Sequence, residues 1–237
     1  MKRSKSTLLV LIFFLSCSFF NLALTAGVEY QVDVASRYIW RGFDLNPDNK
    51  PVLQPSVTFS CGDSGFAVNL WSSFSFEAKE LNEIDVTLSY DFKMPEDLSL
   101  SVGFTHYGWY FNEGFKFKEH TTQEFYVAFG LPKVPLAPNL TVYYDFGNGD
   151  GFYVLLGVGH SLPLSETINL DLSASLGYNG KQWIGESGLS DLNFNVTIPF
   201  KVGKVTISPF FNVTLILLDA VNPDVDNEIW GGVSLVF

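Results

Sequence analysis

The sequence predicts an all-β protein, an antiparallel up-and-down transmembrane β-barrel of about twelve strands. Three observations carry the expectation. Large apolar residues alternate with small polar ones in segment after segment, the period of a strand whose two faces meet different surroundings. The segments fall into an even count, and most approach the ~9–11 residues that cross a bilayer as a tilted strand. The composition is 47% hydrophobic and 16% charged, with 23 Phe and 10 Tyr, yet no long apolar run follows the N-terminus. Such a chain spreads its apolar surface over many alternating strands.

Residues 1–26 read as a secretory signal. Lys2, Arg3 and Lys5 form a basic start, Leu8 to Leu15 begin an apolar core, and Ala26 precedes the expected cut at Gly27. An uncleaved anchor is the rival reading of this stretch, and Cys17 within it offers a poor lipoprotein start. The first strand is expected from Val28 to Arg41, with Val28, Tyr30, Val32, Val34, Tyr38 and Trp40 on one face and Glu29, Gln31, Asp33, Arg37 and Arg41 on the other. Asn46-Pro47-Asp48-Asn49 supplies turn chemistry. The second strand, Val52 to Cys61, and the third, from Phe66, are joined by Gly62-Asp63-Ser64-Gly65.

The fourth strand alternates Ile84, Val86, Leu88, Tyr90 and Phe92 with Asp85, Thr87, Ser89, Asp91 and Lys93. The fifth sets Leu98, Leu100, Val102 and Phe104 against Ser99, Ser101, Thr105, Tyr107 and Trp109. An aromatic loop from Phe111 to Thr122 leads to the sixth, with Phe125, Val127 and Phe129 on its apolar face. The seventh and eighth form a hairpin over Gly147-Asn148-Gly149-Asp150. The ninth runs from Ile168 to Leu176, and Asn179 to Leu189 is expected to be a loop. The tenth carries Leu192, Phe194 and Val196, the eleventh Val205, Ile207, Phe211 and Val213. An acidic loop from Leu218 to Asn227 precedes the twelfth, which ends on Phe237.

A lipocalin-like soluble barrel would show the same alternation with its apolar face turned inward. The membrane is favoured because the apolar faces hold Leu, Val, Ile and Phe for nearly whole strands, while the polar faces are poor in the Lys of a solvated sheet. Tyr38, Trp40, Tyr90, Tyr110, Tyr144 and Tyr178 fall near strand ends, where interfacial girdles are expected.

Without the signal, 11 basic residues stand against 25 acidic ones, a net charge of −14, which argues against a nucleic-acid partner. Cys61 alone remains, so no internal disulfide is expected. Gly-x-Ser-x-Gly is absent and no Ser–His pair is placed by spacing, so the chain is not expected to be an enzyme. No cofactor motif is present, and Asp219 to Glu228 lacks the ligand spacing of a calcium loop, so no metal site is expected.

The stretch Ser36-Arg37-Tyr38-Ile39-Trp40-Arg41-Gly42, followed by Pro51, Gln54-Pro55, Ser64-Gly65-Phe66, Trp71-Ser72-Ser73 and Glu83-Ile84-Asp85 before Tyr90, resembles the porins of the TorF family, a group of outer-membrane proteins of unassigned role. The resemblance covers residues 28–92. It implies a barrel and a pore, and no catalytic residue. The terminal Phe237 also resembles the ending of bacterial outer-membrane barrels, which implies the barrel assembly machinery as a partner. The other partners expected are outer-membrane lipid, lipopolysaccharide and small polar solutes.

Pore-lining candidates follow from parity: Arg37, Arg41, Asp33, Asp85, Asp91, Tyr107, Trp109, Glu124, Asp145 and Asp171. Arg37 and Arg41 could form a basic constriction, or pair with lumen carboxylates such as Asp33 or Asp85, because a lone charge in a narrow lumen is costly. Acids outnumber arginines on this face, which predicts weak cation preference. Tyr107, Trp109, Tyr126, Tyr143, Tyr153 and Trp71 could stack a ligand or simply fill space. The function expected is passive diffusion of small hydrophilic solutes, and the alternative is a plugged barrel serving binding or envelope contact.

Overall fold

The computed structural model describes residues 26–46, 50–109, 121–223 and 227–237. Twelve long strands form the wall: β1 (Ala26–Ala35), β4 (Val52–Cys61), β5 (Phe66–Ser75), β6 (Glu80–Asp91), β7 (Ser99–Trp109), β8 (Thr121–Gly130), β9 (Asn139–Asp145), β10 (Gly151–Pro163), β11 (Asn169–Gly180), β12 (Ser187–Thr197), β14 (Val205–Ile216) and β15 (Glu228–Val236). Two strands, β2 (Ile39–Trp40) and β3 (Phe43–Asp44), pair only with each other, and β13 (Phe200–Val202) extends the turn before β14. Sequential wall strands pair antiparallel, and the β1–β15 and β12–β14 pairings close the sheet. A closed sheet has no free edge, the condition for a β-structure to cross lipid.

The two faces decide between membrane and soluble barrels. Residues of the apolar parity point outward and stay exposed, among them Tyr30, Leu70, Leu88, Phe125, Val127, Leu156, Phe194 and Phe211. Only Ala35, Val52, Tyr153 and Val221 are buried apolar residues among those described, and the buried set is otherwise polar, from Ser73 and Glu83 to Asn212 and Glu228. This is the inverse of a soluble core. It fits a wall with lipid outside and a polar lumen inside.

Three expectations are corrected. The first wall strand ends at Ala35, not Arg41, so Arg37 and Arg41 lie beyond the wall. Tyr38 and Trp40 are therefore not girdle residues, whereas Tyr144 and Tyr178 do face outward. The ninth strand of the wall runs on to Gly180 through an irregularity at Gly177/Tyr178, where the sequence suggests a loop from Asn179. The signal residues up to 25, Tyr110, the aromatic loop 111–119 and Asp224 and Asp226 of the acidic loop lie outside the described residues.

Candidate functional site

After β1 the chain turns inward instead of looping over the rim. Ser36 stays tied to the last strand, its amide donating to the Gly231 carbonyl at 2.9 Å and its Oγ accepting from the Gly231 amide at 3.1 Å. Trp40 then pairs with Phe43 across Arg41-Gly42, a two-residue hairpin turn. Both turn residues have positive φ, +53° at Arg41 and +87° at Gly42, the backbone of a type I′ turn. Glycine serves this at Gly42, where a Cβ would approach Val221 Cγ2 to 2.9 Å. Arginine does not favour such a backbone, which costs on the order of 1–2 kcal/mol. Something must hold Arg41 there.

The holding groups come from four wall strands and one loop. Arg41 Nη1 donates to Glu124 Oε2 at 2.6 Å and Nη2 donates to Glu124 Oε1 at 2.9 Å, a two-pronged pair. Nη1 also donates to Gln182 Oε1 at 2.7 Å, and Gln182 Nε2 donates to Glu124 Oε2 at 2.8 Å. The Tyr107 hydroxyl donates to Glu124 Oε1 at 2.9 Å. The guanidinium carbon lies 4.4, 4.0 and 4.7 Å from the ring centroids of Trp40, Tyr143 and Tyr153, within cation–π range of all three. Tyr153 in turn donates to Asp191 at 2.9 Å, and Ser190 Oγ donates to the same carboxylate at 2.6 Å. The Arg41 and Glu124 side chains are 7% and 1% exposed, so the pair is sealed from water.

Gln182 reaches this centre because its loop is clamped. Its backbone amide donates to Asn179 Oδ1 at 2.8 Å and the Asn179 side-chain amide donates to its carbonyl at 3.1 Å. The β14–β15 loop closes the other side. Val221 packs over Gly42, and the Asn222 amide donates to Glu228 Oε1 at 3.0 Å. Glu228 is also the ion-pair partner of Arg37.

The filling is a complete layer. Every wall strand contributes a buried lumen-side residue near the end opposite the chain termini: Ala35, Val52, Ser73, Glu83, Thr105, Glu124, Asp145, Tyr153, Asn179, Asp191, Thr214 and Glu228. Tyr38 packs on Trp71 and Trp40 on Tyr107, with ring centroids 5.5 and 5.9 Å apart, so the hairpin occupies the centre of that layer. Toward the termini the lumen side changes character. Ser56, Thr58, Asn69, Thr87, Asn193 and Asn195 are only half-buried. Asn195 Nδ2 donates to Asn212 Oδ1 at 3.0 Å and Thr214 Oγ1 to Asn193 Oδ1 at 2.7 Å, a ladder that joins these half-buried amides to the buried Asn212 and Thr214.

Of the residues singled out from the sequence, the structure brings Arg41, Glu124 and Tyr107 into contact. Asp145 stands directly across from Glu124, and Asp85 across from Tyr107. Asp145 accepts from Thr122 Oγ1 and from the Gly147 amide. Arg37 is turned to Glu228. Asp33 accepts from Gln31, Asp91 from Ser101, and Asp171 stands across from Thr197, all outside the filled layer. Trp109 ends β7 across from Glu83. Gln182 and Val221 escape a parity reading, whereas Glu228, one residue before the outward Ile229, has lumen parity and was not singled out. Gln182 and Val221 sit in loops, where alternation says nothing. A first strand of fourteen expected residues, longer than a bilayer crossing needs, was the available sign that the chain leaves the wall early.

A closed antiparallel sheet with an apolar outside, a polar inside and a loop folded into its lumen defines a transmembrane barrel of the bacterial outer membrane. Solved structures agree in fold: the KdgM porin matches with a TM-score of 0.56 over 88% of this chain and 98% of its own, at 12% identity. The KdgM porin in complex with disordered oligogalacturonate gives 0.53 over 89% and 97%, also at 12% identity. The COG4313 outer membrane channel from Pseudomonas putida F1 gives 0.50 over 91% and 96%, again at 12% identity. The chain belongs to the Gcw_chp family, described as bacterial protein of unknown function, whose model matches residues 23–208. No curated protein sequence matches it. The kinship is thus with a family of unknown function and with porin-like barrels in fold, coarser than the TorF name.

Proposed function

We propose that this protein is an outer-membrane channel of the TorF porin type for passive diffusion of small hydrophilic solutes, with the Arg41 hairpin as its constriction. One observation carries the reading. The centre of the block is one inward hairpin seated on polar and aromatic contacts from the wall and two loops, so a path through the barrel can open by shifting that hairpin and leave the wall intact. Beyond it the lumen is lined by half-buried Ser, Thr and Asn side chains that suit hydrated solutes. The porin neighbours in fold support the same reading. Glu29, Asp33, Asp91 and Asp171 line this inner half, with Lys93 and Lys201 at its rim, which supports a weak preference for cations. The partners are then the outer-membrane lipid, lipopolysaccharide at the external rim and the solutes themselves. Phe237, more than half exposed beside the closing strand, is the residue the barrel assembly machinery would engage.

The test is single-channel recording of the refolded mature chain in a planar bilayer under a salt gradient. Small discrete steps with a reversal potential toward cations are expected. The complete buried layer favours a second reading, a plugged barrel that binds or anchors. A correctly inserted, heat-modifiable barrel that stays silent even with Arg41 replaced would move the assignment there.

A further inference from the structure

A second polar hollow lies outside the filled layer, on the rim opposite the termini. The β9–β10 and β11–β12 loops meet there, joined by the Trp183 amide donating to the Gly149 carbonyl at 2.9 Å. They border an open hollow of about 390 Å³ lined by Asn148, Gly149, Asp150, Lys181, Trp183 and Ile184. A volume of this size holds one or two sugar rings.

Three features set the hollow apart from an ordinary loop crevice. Asp150, Lys181 and Trp183 all have positive φ, at +39°, +68° and +62°, so three of its side chains are aimed by a backbone that non-glycine residues avoid. Strain of this kind persists only where surrounding contacts impose it, and it gathers at ligand sites. Trp183 is 38% exposed at the edge of the hollow, so an amphipathic indole stands at its surface. Asp150 and Lys181 are exposed beside it with opposite charges, and the exposed Asn148 is anchored by its side-chain amide, which donates to the Thr121 carbonyl at 2.7 Å.

We infer that this hollow is a saccharide site, taking a neutral hexose unit stacked on Trp183 with its hydroxyls on Asp150, Lys181 and Asn148. A flat indole offers a face to the C–H side of a sugar ring. A carboxylate, an ammonium and an amide match hydroxyl groups that both donate and accept. The opposite charges cancel, so the hollow has no excess sign with which to select an ionic ligand. The sugar can come from the core of the membrane's own lipopolysaccharide or from a free oligosaccharide outside.

The experiment uses the full refolded barrel in detergent, so it does not depend on whether the barrel conducts. Saturation-transfer NMR and calorimetry are run with lactose, maltose and cellobiose, and with delipidated hexose-containing core oligosaccharide. Saturable binding to any of them is expected. Trp183→Ala should weaken it about tenfold, and Asp150→Asn less, with folding checked by heat-modifiable migration. Binding to core oligosaccharide alone assigns the site to the glycolipid, and binding to the disaccharides assigns it to free sugars. No saturable binding to any probe overturns the inference. So does affinity unchanged in folded Trp183→Ala and Lys181→Ala barrels.

Discussion

The two halves of this lumen are built from the same strands and differ in what fills them. Near the rim opposite the termini, buried carboxylates, an arginine and aromatic rings interlock around the hairpin, and Glu124 and Gln182 are all but sealed from water. Nearer the termini, Ser, Thr and Asn carry the same parity on the same strands and most are only half-buried. The wall needs no more than alternation to exist, because lipid on one side and polar groups on the other impose it. The plug needs particular residues, because a charge moved out of water must meet its partner in good geometry. The difference separates the fold from the proposed function: the wall makes the protein a barrel, and in the channel reading the plug sets what passes.

Substitutions should break this contrast in a graded order. Arg41→Ala leaves Glu124 buried with only the Gln182 amide and the Tyr107 hydroxyl as donors. A loss of about 3–5 kcal/mol is expected in urea unfolding in micelles, together with a several-fold rise in single-channel conductance. An unchanged conductance in a barrel destabilised to that degree would separate the plug from the permeation path. Glu124→Gln keeps the shape and removes the countercharge, and should cost about 2–3 kcal/mol by the same assay, since one carbonyl oxygen still accepts from Arg41. Gly42→Ala forces a Cβ into a positive-φ turn beside Val221 and should cost about 1–2 kcal/mol. Asp33→Asn and Asp171→Asn, in the open half, should leave unfolding within about 0.5 kcal/mol of the parent. They should shift the reversal potential toward anions, and a shift equal to that of an outward-facing control would remove the inner acids from the cation preference.

Much of this was legible in the sequence, for a physical reason. Period-two alternation records which medium each residue meets, so the outward faces through Phe125, Val127 and Phe129, and the lumen side of Tyr107, Glu124 and Asp145, follow from parity alone. The plug was not legible, because its bonds join positions far apart in the chain: Arg41 to Glu124 and to Gln182. The turn at Arg41-Gly42 was also masked by accident. Tyr38 and Trp40 continue the apolar parity of Val28 to Val34, so the pattern reads on as strand while the backbone has already turned inward. The Tyr38-to-Gly42 stretch that carries the family resemblance is therefore legible as important, but its role as a hairpin wedge is visible only in three dimensions.

The hairpin hangs from the seam where the ends of the sheet meet. β1 matches β4 along ten residue pairs but β15 along only five, and Ser36 continues that short seam with two bonds to Gly231 just before the chain dives inward. Arg37 then grips Glu228 at the start of the same last strand. The wedge thus doubles as a clasp. Its ties at Ser36 and Arg37 form only where β15 lies beside β1, and they brace the shortest joint in the cylinder. The hairpin links the seam at its root to β8, β9 and β10 at its tip, a strut across the bore between the closing joint and strands that take no part in it.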